Sequence, residues 1–300
     1  MKLRLVYTVV LTAIVLLWAS AGFCQKPISA SEWVEKVGQL GSVNWSAGYI
    51  EATGIGAPSE QSYGKPQARP LALRSATVVA QRNLLEVTKG VQIDSVTTVK
   101  DFMVESDIIN TRVSGLVKGA VMVHHQYMSD GTAEVTLRMP LYGELPRIVI
   151  PEKRKEDLTP TPPAPPAPAP AVTAPASPPP PPPPPAGVTY TGLVVDARGI
   201  QARPAMSPRI YDEDGKEVYG SANVDREYAV QQGMSGYARD LTAAQSNQRV
   251  TANPITVKGL RNGGAGRSDV VISNADAQQI RASAENASFM KKCRVMIVLD

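Results

Sequence analysis

Cysteine and histidine are scarce: the 300 residues hold two of each, Cys24 and Cys293, His124 and His125. Two thiols build no disulfide framework, and two adjacent imidazoles beside two distant thiols give none of the spacings of a zinc site. Aromatic residues are 5% of the chain, too few for the stacked platforms that hold single-stranded nucleic acid. An excess of one charge is also missing. The formal net charge of +4 includes Lys2 and Arg4 near the N-terminus, and the remaining charges of both signs are interspersed, so no nucleic-acid footprint is present. Phosphate loops are absent as well. Gly54-Ile55-Gly56 lacks a third glycine and a following helix start, and Asn262–Arg267 (NGGAGR) leads into a strand, so both read as turns. Asp212-Glu213-Asp214-Gly215 opens like a calcium loop, but Lys216 intrudes and no closing glutamate follows, which leaves a hairpin turn. His124 and His125 have no identifiable orienting carboxylate or nucleophile. No catalytic, cofactor-binding or metal-ligating set emerges.

Proline, by contrast, is abundant and concentrated. Residues Thr159 to Gly187 include an unbroken run from Pro178 to Pro185. Proline lacks a backbone N–H and fixes φ near −65°, so the tract is expected to be polyproline II, spanning roughly 90 Å if fully stiff. It divides the chain into a first module at residues 26–150, a linker at 151–187 and a second module at 188–300. The expected class is α+β: two small helix-on-sheet modules held apart by a polyproline strut and unfolding separately.

The first 24 residues read as a secretory signal. Lys2 and Arg4 precede an apolar run from Leu5 to Trp18, and Ala19-Ser20-Ala21 supplies a small-residue cleavage site. The apolar run is short against the ~20 residues that a bilayer core requires. Cys24 is a candidate lipidation site and so a route to membrane association. Against it stands the bulky Phe23 directly before it, and cleavage without acylation is the expectation. The chain is thus expected to be exported, to the periplasm or the outer membrane.

In the first module Ser31 reads as the cap of a short helix carrying Trp33, Val34 and Val37, and Tyr49 to Thr53 as a strand. Ala68 to Lys89 is the strongest local signal. Leu73, Ala76, Ala80, Leu84 and Val87 share one face at spacings of three and four, Pro70 fits the first turn, and Gly90 reads as a left-handed stop. Arg74 and Arg82 on the opposite face are candidate anion contacts. Val91 to Val99 reads as a strand and Asp101 to Ile109 as a short helix or loop. Gly119 to Met139 reads as a hairpin turning at Asp130-Gly131, with His124 opposite Leu137 toward the core and His125 toward solvent.

These residues carry a resemblance. GYIEATGIGAP from Gly48, the helix with RNLLEVTKGVQID, and TRVSGLVKGA before a strand pair resemble the LPP-twenty-type lipoprotein family and, more distantly, the N-terminal domain of flagellar assembly protein T, over about residues 46–142. The resemblance implies a small α+β envelope domain, associated with the outer membrane or the flagellum and without enzymatic activity.

In the second module Gly192 to Ala197, Arg209 to Tyr211, Glu217 to Tyr219, Ile255 to Lys258 and Asp269 to Ile272 read as strands. Asp225 to Gln232 reads as a helix, as does the segment that Ser273 or Asn274 caps. The apolar run Arg294 to Leu299 reads as a central strand. The functional expectation is a non-catalytic envelope protein that binds or scaffolds outer-membrane or flagellar assembly components, with no cofactor and no nucleic acid. The alternatives are an envelope enzyme acting on cell-wall or carbohydrate material and a module that binds a small anion.

Overall fold

The computed structural model describes residues 30–150, 190–284 and 288–300. The leader, Cys24 and the proline tract lie outside the described residues. The chain is α+β, with one sheet in each half.

The first sheet is antiparallel, in the order β1-β2-β3-β5-β4, from β1 (Val34–Val37), β2 (Gly41–Asn44), β3 (Tyr49–Gly56), β4 (Val121–Tyr127) and β5 (Ala133–Pro140). Helix α1 (Ala68–Lys89) lies across β3 and β5 and buries Ala72, Ala76, Ala80, Leu84 and Val87. Gly54 and Gly56 belong to β3 rather than to a turn. A methyl group at either would collide with the α1 backbone around Ala76 and Ala80, so the paired glycines and alanines let helix and strand touch main chain to main chain. Gly90 ends α1 at φ −78°, so the left-handed stop expected there is not used.

Two local expectations are corrected. The residues after Ser31 extend as β1, because Trp33 O accepts the Trp45 N–H and aligns the segment with β2. Val91 to Thr98 is a tight loop, since the Asp94 carboxylate accepts the N–H groups of Val96 and Thr97 and turns the chain. Helices α2 (Val99–Glu105) and α3 (Asp107–Lys118) follow, then, after the β4–β5 hairpin, α4 (Glu144–Val149).

The second sheet has seven strands in the order β8-β7-β11-β10-β6-β12-β9. They are β6 (Gly192–Asp196), β7 (Ile210–Tyr211), β8 (Glu217–Tyr219), β9 (Gly236–Ala238), β10 (Pro254–Gly263), β11 (Asp269–Ile272) and β12 (Val295–Val298). Strands β9, β12, β6 and β10 run parallel, and β12 is interior with all four residues buried, as its continuous apolar run requires. Helices α5 (Arg226–Gln232), α6 (Leu241–Gln245) and α7 (Asn274–Ala284) complete the half. Asp225, Asp240 and Ser273 cap their first turns.

The halves are not held apart. The described residues from Ser31 onward form one compact unit, with an apolar core continuous from Val43, Trp45 and Leu84 to Tyr237, Ile255 and Ile297. Trp45 meets Tyr237 edge to face at 5.6 Å, and Ser46 Oγ donates to Tyr237 O at 2.6 Å. The Tyr142 ring lies where side chains on Gly48 and Gly233 would be, one glycine from each half. The Gly264 and Gly266 positions of the NGGAGR segment leave room for Ser95 and Gln92, and Gly266 N donates to Ser95 O at 2.6 Å. Arg203 and Arg147 reach across to Glu35 and Glu227. Ile150 and Tyr190, the described residues on either side of the proline-rich stretch, both bond to the second half, Ile150 O accepting from Arg226 and the Tyr190 hydroxyl from Gln279.

One shared core predicts one unfolding transition, with far-ultraviolet dichroism and tryptophan fluorescence coincident in denaturant. Trp45→Ala should lower stability by about 3 to 5 kcal/mol and destabilise both halves together. Two resolved transitions in the wild type would show that each half folds for itself.

Candidate functional site

A strand at the edge of a sheet carries backbone donors and acceptors that nothing in its own sheet satisfies. The two sheets have four edge strands, β1, β4, β8 and β9, and the chain treats β9 and β4 differently. At β9, Ser46 Oγ meets Tyr237 O and Ser31 O accepts the Arg239 N–H, so the first half covers the edge of the second. At β4, on the far side of the first sheet from β1, no other described strand pairs. Six of the seven β4 residues are exposed, Val121 at 66%, Met122 at 38% and Tyr127 at 40%. The run Ala120 to Met128 contains no Lys, Arg, Asp or Glu, so the usual charged protection of an edge is lacking.

The hairpin register differs by one residue from the expectation. His124 pairs with Thr136 and His125 with Val135, Met122 pairs with Leu137, and Val123 bulges out between them. The turn accounts for the shift: the Asp130 carboxylate accepts the N–H and hydroxyl of Thr132, and Gly131 takes φ +84°. His125, not His124, therefore shares the α1 face with buried Val135, yet both are exposed because α1 covers β3 and β5 and stops short of β4. The hairpin tip is aromatic. Tyr63 donates to Asp130 O at 3.0 Å, Tyr127 stands edge-on to His125 at 6.2 Å, and Arg69 from the first turn of α1 lies 5.5 Å over the Tyr127 ring. This is a surface for contact, without a cleft or a nucleophile.

Arg74 and Arg82 stand exposed on α1, two turns and about 12 Å apart along its axis. Cys293 is buried, and burial raises its thiol to a pKa of about 11, which leaves it unreactive near neutrality. Nearby, Arg249 donates to Gly233 O, Cys293 O and Gln232 O at the end of α5, a helix-terminal contact rather than an anion site. The Asp212 turn is fully used: its carboxylate accepts from Lys216 N and pairs with Arg281 at 2.8 Å. No group of three His, Cys, Asp or Glu placed to hold a metal occurs among the described residues. Asn44 is buried and bonded to Glu32, Tyr49 and Ala47 N.

At the carboxyl end of β6, Asp196 pairs with Arg198 at 2.8 Å and with Lys258, mid-strand on the neighbouring β10, at 3.2 Å. The Arg198 hydrogen bond, with help from Lys258, lowers its pKa to about 2. In doubly wound sheets this edge often receives a ligand. Here its acidic residue is committed to structure.

Sequence comparison speaks to one half. Residues 192–300 match a family model described as Treponema pallidum Tp0624, second domain. The match covers just over a third of the chain and lies outside residues 46–142. No curated protein matches the chain. Among the described residues, no helix is long and apolar enough to cross a membrane.

Two measurements check these assignments. His124→Ala and His125→Ala should each change stability by under about 0.5 kcal/mol, and a loss above 1 kcal/mol in either would place that ring in the core. Asp196, with its pKa lowered in the fold, adds stability that is present above the unfolded pKa near 4 and is lost as pH falls through about 2. Asp196→Asn should therefore destabilise at pH 7 by on the order of 1 to 2 kcal/mol and flatten the stability slope between about pH 4 and 2. An unchanged slope would show that the pair contributes nothing.

Proposed function

We propose that this chain is a non-catalytic cell-envelope protein that binds or scaffolds partners at the outer membrane or at a flagellar or envelope assembly. The observation that carries the reading is the β4 edge, which no described residues cover, an uncharged seven-residue strand with exposed Val121, Met122 and Tyr127. Main-chain pairing along such an edge gives affinity, and alternate side chains give specificity. The leader-like first 24 residues support export, and the likeness of residues 46–142 to envelope lipoproteins supports the location.

The same geometry weighs against an enzyme acting on cell wall. Such enzymes place two carboxyl groups on either side of a substrate cleft. Here Asp196, Asp212 and Glu51 are each tied to an arginine instead, the last to Arg138.

Fractionation combined with site-specific photo-crosslinking in intact cells tests the reading. A photoreactive residue at Tyr127 should trap envelope proteins, and one at Arg82, exposed on α1, should trap them at least tenfold less. A cytoplasmic location, or equal capture at both positions, would sink it.

A further inference from the structure

On the second half, α6 and the turn after it wall an open depression of about 730 Å³, within the roughly 300 to 1,000 Å³ of small-molecule sites. Thr242, Gln245, Ser246, Asn247, Gln248 and Thr251 supply uncharged hydroxyls and amides to it, Ala252 adds a methyl, and no charged side chain lines it. Much of this polar capacity is unspent. Gln245 Nε2 donates to Thr256 Oγ1 at 3.0 Å and Asn247 Oδ1 accepts the Arg249 N–H at 2.9 Å, which fixes both amides and leaves the Gln245 carbonyl and the Asn247 NH2 group unbonded. The side chains of Thr242, Gln248 and Thr251 have no hydrogen-bond partner among the described residues. The backbone of the lining is also strained. Thr251 has φ +60°, and of the four non-glycine residues with positive φ among the described residues it alone is β-branched. A branched side chain crowds its own backbone there, whereas glycine takes that conformation freely. The Thr191 hydroxyl, just before β6, donates to Val250 O at 2.7 Å and accepts the Asn253 N–H at 3.0 Å, so Thr251 is pinned from both sides. Strain of this kind persists where the surrounding structure imposes it, and it gathers at ligand sites.

From the unspent amides and hydroxyls and the strained Thr251 we infer that this depression binds a neutral N-acetylated saccharide. A pyranose ring with an acetamido group presents hydroxyls, an amide N–H, an amide C=O and a methyl. The site answers each of them: hydroxyls from Thr242 and Thr251, an acceptor from Gln245, a donor from Asn247, both from Gln248, and methyls from the threonines and Ala252. A phosphate or carboxylate would find no cation to pair with in the lining. No carboxyl group lines it either, so the site holds a saccharide without the pair of acids that cleavage requires. The inference does not rest on the β4 edge, which belongs to the first sheet.

Calorimetric titration of the purified full chain with the tetramer of N-acetylglucosamine should give a Kd of about 1 mM or tighter. Added salt should leave it unchanged, because no charge takes part. The glucose tetramer of the same linkage lacks the acetamido groups and should bind about tenfold more weakly or worse. Gln248→Ala should weaken binding of the N-acetylated tetramer about fivefold or more with Tm unchanged, since that amide has no partner in the fold. Thr251→Gly should weaken it by about as much yet leave Tm unchanged or raised, because the strain goes with the side chain. Absence of binding at about 10 mM tetramer, equal binding of the glucose tetramer, or an affinity that neither variant lowers overturns the inference.

Discussion

Tyr142 occupies a slot that exists only because two glycines, Gly48 and Gly233, come from opposite halves of the chain and carry no side chains. Both have positive φ, +74° and +79°, so glycine serves backbone and space at once. Around this ring the remaining seam is assembled: Trp45 against Tyr237, the Tyr142 hydroxyl toward Trp45 O, and Gly143 N on Val230 O at 2.8 Å. Burial raises the pKa values of the Tyr142 and Tyr237 hydroxyls at the seam and of Tyr219 within the second half, so they stay neutral donors. A large aromatic such as Trp or Tyr buries about 150 to 250 Å², so a few of them bind the halves more strongly than the rim ion pairs do.

Once the seam is formed, the rest of the architecture follows. Docking hides the β9 edge and the apolar ends of both sheets, and it turns two modules into one body. It also leaves β4 as the long edge that the first half does not use internally. Among the described residues, the β9 edge is met by groups of the first half and the β4 edge is not.

Much of this was legible in the sequence, and the failures share a cause. The helix from Ala68 to Lys89 was readable to the residue because its small and apolar positions keep a 3.6-residue period over six turns. The hairpin at Asp212 and the central β12 strand were readable from turn chemistry and an unbroken apolar run. Gly54 and Gly56 were misread as turn glycines, while Gly264 and Gly266 do lie in the turn between β10 and β11. What all four also do is admit another backbone or side chain, and that neighbour is far away in sequence. The Ser31 segment became a strand for the same reason, since its partner lies in β2 and no local signal announces it. The histidine faces were inverted by a one-residue change of register at the turn, where Met128 pairs with Thr132, because a strand has a period of two and a slip of one moves every side chain across. The seam itself left no local trace: Trp45, Tyr142 and Tyr237 are lone aromatics in their own segments. The β4 edge was visible only as a hairpin, since exposure on both faces is a property of where α1 stops.

The anchoring of Ile150 and Tyr190 on the same half changes what the proline-rich stretch between them is worth in evolution. A spacer between separate bodies is under selection for length, because length is distance. A segment whose flanking residues, Ile150 and Tyr190, both rest on one body sets no distance between bodies, so selection on its length as a spacer has nothing to act on.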